Sequence, residues 1–545
     1  ELEKCYLDSN AAGCVRVERG ARLTATGCQM NSLNGSSTSL EPDSRTVLVE
    51  CTFTQIVPEE LKKEYTCTRH EALIVDSEAT CILINCQQIQ YPIIFNNNSR
   101  GMLDNCSISV QEGSKGSGFG VIIRDGATPL IHNCDIHHCK ESGIYFQTNS
   151  KGVVSGCKIH HNLVFGVRAM AAEQFLLIDN EITENFDYGV RVTNGSKGDI
   201  KNTRITRNKG GVFVEQEIDL VLKDCSIENN FYHGFYFKAP DQMSTVPKKT
   251  VVTLYNSSVK WHLIHPAFHL TGNCELNLIR SKIKYNKIGI CLLSDSIANL
   301  RDSSTIYNFD IHVLLHDNSK VIASGTTFTG FETAGVGLKN NSEGQFTNCT
   351  FDNGSEIAKL TAKFAKEKPG FIENLNNEMQ FRISVIKKSD CTEDIRKIEE
   401  KLHQEFNAMK NEPERPENQK PGMRAIYLFD DSTTKIDNCN FHKNNFSIVV
   451  KNNARALQVV NSNFDFDMQS IHVIDNGYVD ISNSRFHNSK HGLKLENDAS
   501  ATVRNGTIFE FCEKWSIIMS NKSKLNFFGS FIHQDKSTLV AMDDN

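Results

Sequence analysis

Five side chains recur at steps of 22 or 23 residues inside a short Gly-apolar-x-apolar motif: Tyr145, Arg168, Arg191, Phe213 and Tyr236. Arginine and tyrosine are enriched at interface hot spots, since a guanidinium brings five fixed donors and a ring brings rigid contact area. A row of them predicts a binding face for a partner protein; the plainer reading is a solvated strand face, its arginines paired with nearby acids. Cleaving or epimerising a polysaccharide would take carboxylates clustered on one outward face. The outward position of the motif reads Ile122, Tyr145, Arg168, Arg191, Phe213, Tyr236, His269, Cys291, His312, Gly337, Tyr427, Val449, His472, Lys494 and Ile518, with no acid among them. Acids elsewhere, such as Glu184, Glu228 and Asp352, form no pair one repeat apart. No catalytic residue is therefore expected. His137-His138 and His160-His161 occupy matching positions, with Cys139 beside the first pair. Two stacked imidazole pairs and a thiol could hold zinc. The next repeats replace them with Thr183-Glu184 and Thr206-Arg207, so solvent-facing turn histidines are expected, with no metal and no cofactor.

What would position these residues is a repeat. Ile136, Ile159, Ile182, Ile205 and Ile227 mark an apolar anchor every 22 or 23 residues. The register extends back through Leu7, Met30, Phe53 and Ile108, and forward through Val259, Ile283, Ile306, Phe328 and Phe351. It resumes at Phe441, Phe464, Phe486, Ile508 and Phe531. Each repeat reads as three strands of three to five residues with period-two alternation, separated by turns rich in Asn, Gly, Asp and Ser. So short a unit cannot close a sandwich; it can form one turn of a solenoid whose strands pair in parallel with their copies one turn later. The expected fold is all-β, a right-handed parallel β-helix of about twenty coils. Ten cysteines from Cys5 to Cys439 share a column two before the anchor, facing the core. Asn162, Asn185, Asn208, Asn230, Asn286 and Asn444 share another, where a buried amide satisfies turn backbone.

The 545 residues carry a net charge of −6, which gives no sign of a nucleic-acid surface. No apolar run is long enough to span a membrane. Glu1 follows neither an initiator Met nor a signal segment, so flanking domains are an expectation. Eighteen cysteines used as core filler rather than as loop staples predict free thiols and a cytoplasmic setting. Between Gly354 and Ala425 the period vanishes. Ile395, Ile398, Leu402, Phe406 and Met409 step as one face of an amphipathic helix within it. The expected organisation is β-helix over 1–354, a charged, partly helical insertion over 355–424, and the same solenoid resumed over 425–545. The helix is a candidate partner-docking segment.

The stretch Gly126-Ala127-Thr128-Pro129-Leu130-Ile131-His132-Asn133-Cys134-Asp135-Ile136-His137, followed by Ser142-Gly143-Ile144-Tyr145, resembles repeats of the eukaryotic intracellular β-helix family. That family includes F-box β-helix ubiquitin-ligase receptors and Shc-binding, spindle- and midbody-associated proteins. The resemblance implies a β-helix that binds proteins. The expected function is a non-catalytic intracellular scaffold with protein partners, in a cytoskeletal, spindle or ciliary assembly or in substrate recognition; nucleic acid, membrane and small molecules are not expected to bind. The alternative is a carbohydrate-active or carbohydrate-binding β-helix of the polysaccharide lyase or hydrolase type.

Overall fold

The computed structural model describes residues 1–9, 13–32, 37–54, 71–110, 118–238, 249–308, 310–354, 423–533 and 538–543. Among them there is no helix, and so none long and apolar enough to cross a membrane. The predicted helix at Ile395, Ile398, Leu402 and Phe406 lies outside the described residues. Two compact units are present: Glu1–Phe231 with Lys248–Val252, and Tyr232–Pro247 with Thr253–Asn545.

Each unit winds through three parallel sheets, here A, B and C, visited in that order on every turn. Alternation builds them. In Asp219–Lys223 of sheet A, Leu220 and Leu222 are fully buried while Asp219 and Lys223 face solvent. Sheet B carries the anchors. Ile136 pairs with Ile159, Ile159 with Ile182, Ile182 with Ile205 and Ile205 with Ile227, all with no exposed surface. In the second unit the same column becomes a phenylalanine stack: Phe351, Phe441, Phe464, Phe486 and Phe509 follow one another at 4.4–5.0 Å between ring centroids. Burial of each such ring stabilises the fold by roughly 1.5–3 kcal/mol. Ala334–Leu338 pairs with Arg424–Leu428, and Phe351 with Phe441, so the strands on either side of residues 355–422 are in register.

The corner between sheets B and C is held by the asparagine column. Asn162 Nδ2 donates to Asn185 Oδ1 (2.8 Å), and Asn185 Nδ2 donates to Asn208 Oδ1 (2.9 Å) and to the Ile159 carbonyl (3.1 Å). A buried polar ladder is stable when every member finds partners in this way. Glycine precedes sheet C because the next turn comes too close: a Cβ on Gly166 would stand 2.6 Å from Ile182 Cγ2 and 2.7 Å from the Gly189 carbonyl. The sixteen described cysteines are free, and fourteen are buried. In the predicted inward column Cys157 Sγ donates to the Ile131 carbonyl (3.6 Å) and Cys134 Sγ to the Leu103 carbonyl (3.5 Å).

Three expected anchors are displaced by one residue. Thr305, Phe509 and Ile532 hold the places read as Ile306, Ile508 and Phe531. The turns around these positions are 22 or 23 residues long, and a one-residue slip exchanges the two faces of a strand; Phe531 is accordingly 65% exposed. His312 was expected to face outward. Leu314 instead pairs with Cys291 and Gly337, and His312 is fully buried. The Asn308 amide donates to its Nε2 (3.3 Å), so Nδ1 carries the proton and donates to Thr305 Oγ1 (2.8 Å). Burial pushes its pKa down to about 3, and the neutral ring takes a place in the asparagine ladder.

Candidate functional site

In the first unit, sheet C brings Tyr145, Arg168, Arg191 and Phe213 into one column, each paired with the next. The column is self-engaged. The Arg168 guanidinium lies over the Tyr145 ring at 4.7 Å, and that of Arg191 lies between Phe165 (5.1 Å) and Phe213 (5.0 Å). Such contacts contribute about 0.5–2 kcal/mol each, according to how dry they are. Tyr145 is only 5% exposed, stacks on Phe119 at 4.9 Å and donates its hydroxyl to Met170 Sδ (3.7 Å). Arg191 Nη2 is 3.6 Å from Glu215 Oε2. The Nε atoms of Arg168 and Arg191 are buried with no hydrogen-bond partner, an unmet polar cost within this face.

The fifth residue, Tyr236, belongs to the second unit, where it joins a group of histidines. Its ring stacks on His233 (5.2 Å) and lies 5.4 Å from His269; His265 is 4.8 Å from His233. His233 Nδ1 donates to the Pro266 carbonyl (3.2 Å), which leaves Nε2 as an acceptor. Burial, then His265 and His269, push the His233 pKa down to about 3, so the ring is neutral.

Acids missing from the outward column reach the face from its flanks. Glu215 ends a sheet C strand, and Glu141 lies in the preceding turn. Burial raises the Glu141 pKa, against the pull of Arg168. The signal was in the sequence: Glu141, Val164, Asp187 and Lys209 recur at the same period, linked turn to turn by backbone bonds from Val164 to Glu141, Asp187 to Val164 and Lys209 to Asp187. Reading only the strand position passed over that column.

The histidine pairs are stacked as the spacing implied, His137 on His160 at 5.2 Å and His138 on His161 at 5.3 Å. Cys139 is not with them: its side chain is buried and its thiol pushed up to about 12 by burial. His160 Nε2 lies 2.8 Å from Asp135 Oδ1, yet burial holds its pKa down to about 4. Among the described residues no three His, Cys, Asp or Glu side chains converge to hold a metal ion. Glu184 pairs with Arg207 (2.9 Å) and Glu228 with Arg204 (2.7 Å), so these acids serve the sheet B surface. In the second unit, turns from sheet C to sheet A stack Asn and Asp doublets, from Asn340-Asn341 to Asp475-Asn476, around a polar depression of about 560 Å³.

A family model described as a right handed beta helix region matches residues 40–197, 91–244, 245–365 and 422–545. The chain belongs to the right-handed β-helix family. The match does not reach the narrower intracellular F-box and Shc-binding group. None of the curated proteins matches the chain. Solved structures similar to it include the periplasmic alginate epimerase AlgG, at 13% identity and a TM-score of 0.36, over 61% of this chain and 78% of that one. The Dettilon tailspike protein matches at 11% identity and a TM-score of 0.28, over 64% of this chain and 60% of that one. The GH87 α-1,3-glucanase of Streptomyces thermodiastaticus matches at 14% identity and a TM-score of 0.27, over 62% and 57%. Against the expectation of a non-catalytic protein scaffold, the activities named in this set are those of carbohydrate enzymes. Identities this low show a shared fold alone.

Proposed function

We propose that the chain is a carbohydrate-binding β-helix protein and that an extended glycan lies along sheet C of the first unit, over Tyr145, Arg168, Arg191 and Phe213. The observation that carries this reading is the in-register succession of rings and guanidiniums on consecutive turns. A sugar ring has an apolar C–H face and a rim of hydroxyls. The part-exposed Phe213 ring suits the first, and the part-exposed arginine side chains of Arg168 and Arg191 suit the second. Successive turns stand ~4.8 Å apart, so equivalent groups repeat on the scale of one sugar residue.

Glu141 supports an enzymatic version of the same reading. A half-buried carboxyl with a raised pKa beside a guanidinium is placed to exchange a proton with a bound glycan. The test is retention of the full chain on a panel of immobilised polysaccharides, beside Arg168→Gln with Arg191→Gln. The double variant should lose retention by about tenfold or more while keeping the β-sheet circular dichroism of the wild type. Equal retention of both proteins would refute the assignment. Glu141→Gln should bind as the wild type does and abolish any chain cleavage or epimerisation; unchanged turnover would remove Glu141 from the chemistry.

A further inference from the structure

At most described turns of the second unit, the residue two past the sheet B anchor adopts a left-handed backbone. Asn488 does so at φ 53°, a conformation asparagine tolerates. Phe466 (φ 55°) and Phe511 (φ 54°) do so on the turns to either side of it. A bulky side chain in this region is strained, and such strain persists where something else requires the residue. For Trp261, Tyr285 and Tyr307, which share this backbone position, packing supplies the requirement, since they are 8%, 5% and 3% exposed. Phe466 and Phe511 are 51% and 42% exposed, so packing does not account for them.

Their rings are nonetheless oriented. His442 meets Phe466 edge-on at 5.9 Å and 90°, and His487 meets Phe511 at 5.5 Å and 90°. Asp465 lies 3.6 Å from His442 Nδ1 and 3.3 Å from His487 Nδ1, and Asn488 Nδ2 donates to the same carboxylate (3.5 Å). Two exposed rings thus stand two turns apart, at roughly 10 Å by the strand spacing, with an amide, an imidazole and a carboxylate between them.

We propose that Phe466 and Phe511 form a second glycan-binding platform, which takes a neutral, β-1,4-linked polysaccharide. In such a ribbon equivalent apolar sugar faces recur at every second residue, which suits rings on alternate turns, and the intervening hydroxyls meet Asn488 and Asp465. The Asp465 carboxylate disfavours an acidic glycan. A protein partner would call for continuous apolar area, which the polar turn between the rings interrupts. The inference rests on the carbohydrate reading above but on a separate surface.

The probes are cellohexaose and chitohexaose, titrated calorimetrically into the full chain. Phe466→Asn and Phe511→Asn place at each site the residue that Asn488 shows to fit, so both variants should melt no lower than the wild type. Each should weaken hexasaccharide binding by about tenfold. Wild type that binds neither hexasaccharide, or phenylalanine variants that bind as tightly as wild type, would overturn the platform. The latter result, with binding lost in Arg168→Gln/Arg191→Gln, would leave the sheet C site standing. A wild-type dimer that the Asn variants convert to monomer would reassign the two rings to self-association.

Discussion

Asp467 offers a sharp test of the asparagine ladder. It takes a ladder position in the second unit, is 2% exposed and accepts hydrogen bonds from the Asn444 amide (2.9 Å), Asn444 Nδ2 (3.3 Å) and Ser447 Oγ (2.6 Å). Burial raises its pKa to about 7, against these donors, which pull it down. Because the folded-state pKa lies above the unfolded one, the folded state binds the proton more tightly. The associated stability is fully present below pH ~4 and is lost as pH rises through about 7. A shift of ~3 pKa units corresponds to about 4 kcal/mol in all, of which a little over half falls between pH 5 and pH 8. Asp467→Asn removes the titration. It also restores a donor toward the Phe441 carbonyl, the counterpart of the Ile159 carbonyl that Asn185 Nδ2 reaches. The chain has two units, so one melting curve does not report on one site. Hydrogen exchange at the amides of Asn444 and Asp467 reads the local opening free energy directly. In the wild type their protection should fall from pH 5 to pH 8, after correction for intrinsic exchange, by roughly 50- to 100-fold. In Asp467→Asn it should stay level. Parallel pH dependence in the two proteins would refute the assignment of a buried, titrating carboxyl to this turn.

Two further predictions concern how the coils meet. Gly166→Ala should destabilise the first unit by about 2–3 kcal/mol, read by urea unfolding, because the new methyl must displace Ile182 or the Gly189 backbone; a change within ~0.5 kcal/mol would mean that the turns are not so closely stacked. Deleting 355–422 should leave the β-sheet circular dichroism of the chain intact, since Phe351 and Phe441 already pair in register, and collapse of that signal would assign the segment to the core.

How much was legible follows from the difference between a column and its neighbours. Ile136 to Ile227 and Phe441 to Phe486 could be read as one inward column, because a solenoid repeats its side-chain environment at the period of its turns. The same property made the row Tyr145, Arg168, Arg191 and Phe213 readable. The period failed where a turn gained or lost a residue. There the apolar residue nearest the expected place is Ile306 or Ile508, while the buried column runs through Thr305 and Phe509. His312 was misread by the same slip. Glu141 and Glu215 went unseen as members of the face because they lie off the strand position that defines it.

The sequence by itself determined the winding: short strands with alternating faces, glycine where turns approach, and Asn, Cys and Phe columns whose partners lie one period away. That information is local and repeated about twenty times, so single errors hardly weaken it. Only the tertiary structure decided how the outward side chains engage one another. Arg168 folds onto Tyr145 and Arg191 onto Phe165 and Phe213, whereas Phe466 and Phe511 keep their rings in solvent. The physical reason is that exposure depends on how neighbouring turns are shaped and on which side chain crosses to them, a property of pairs and triplets of coils that no single period records.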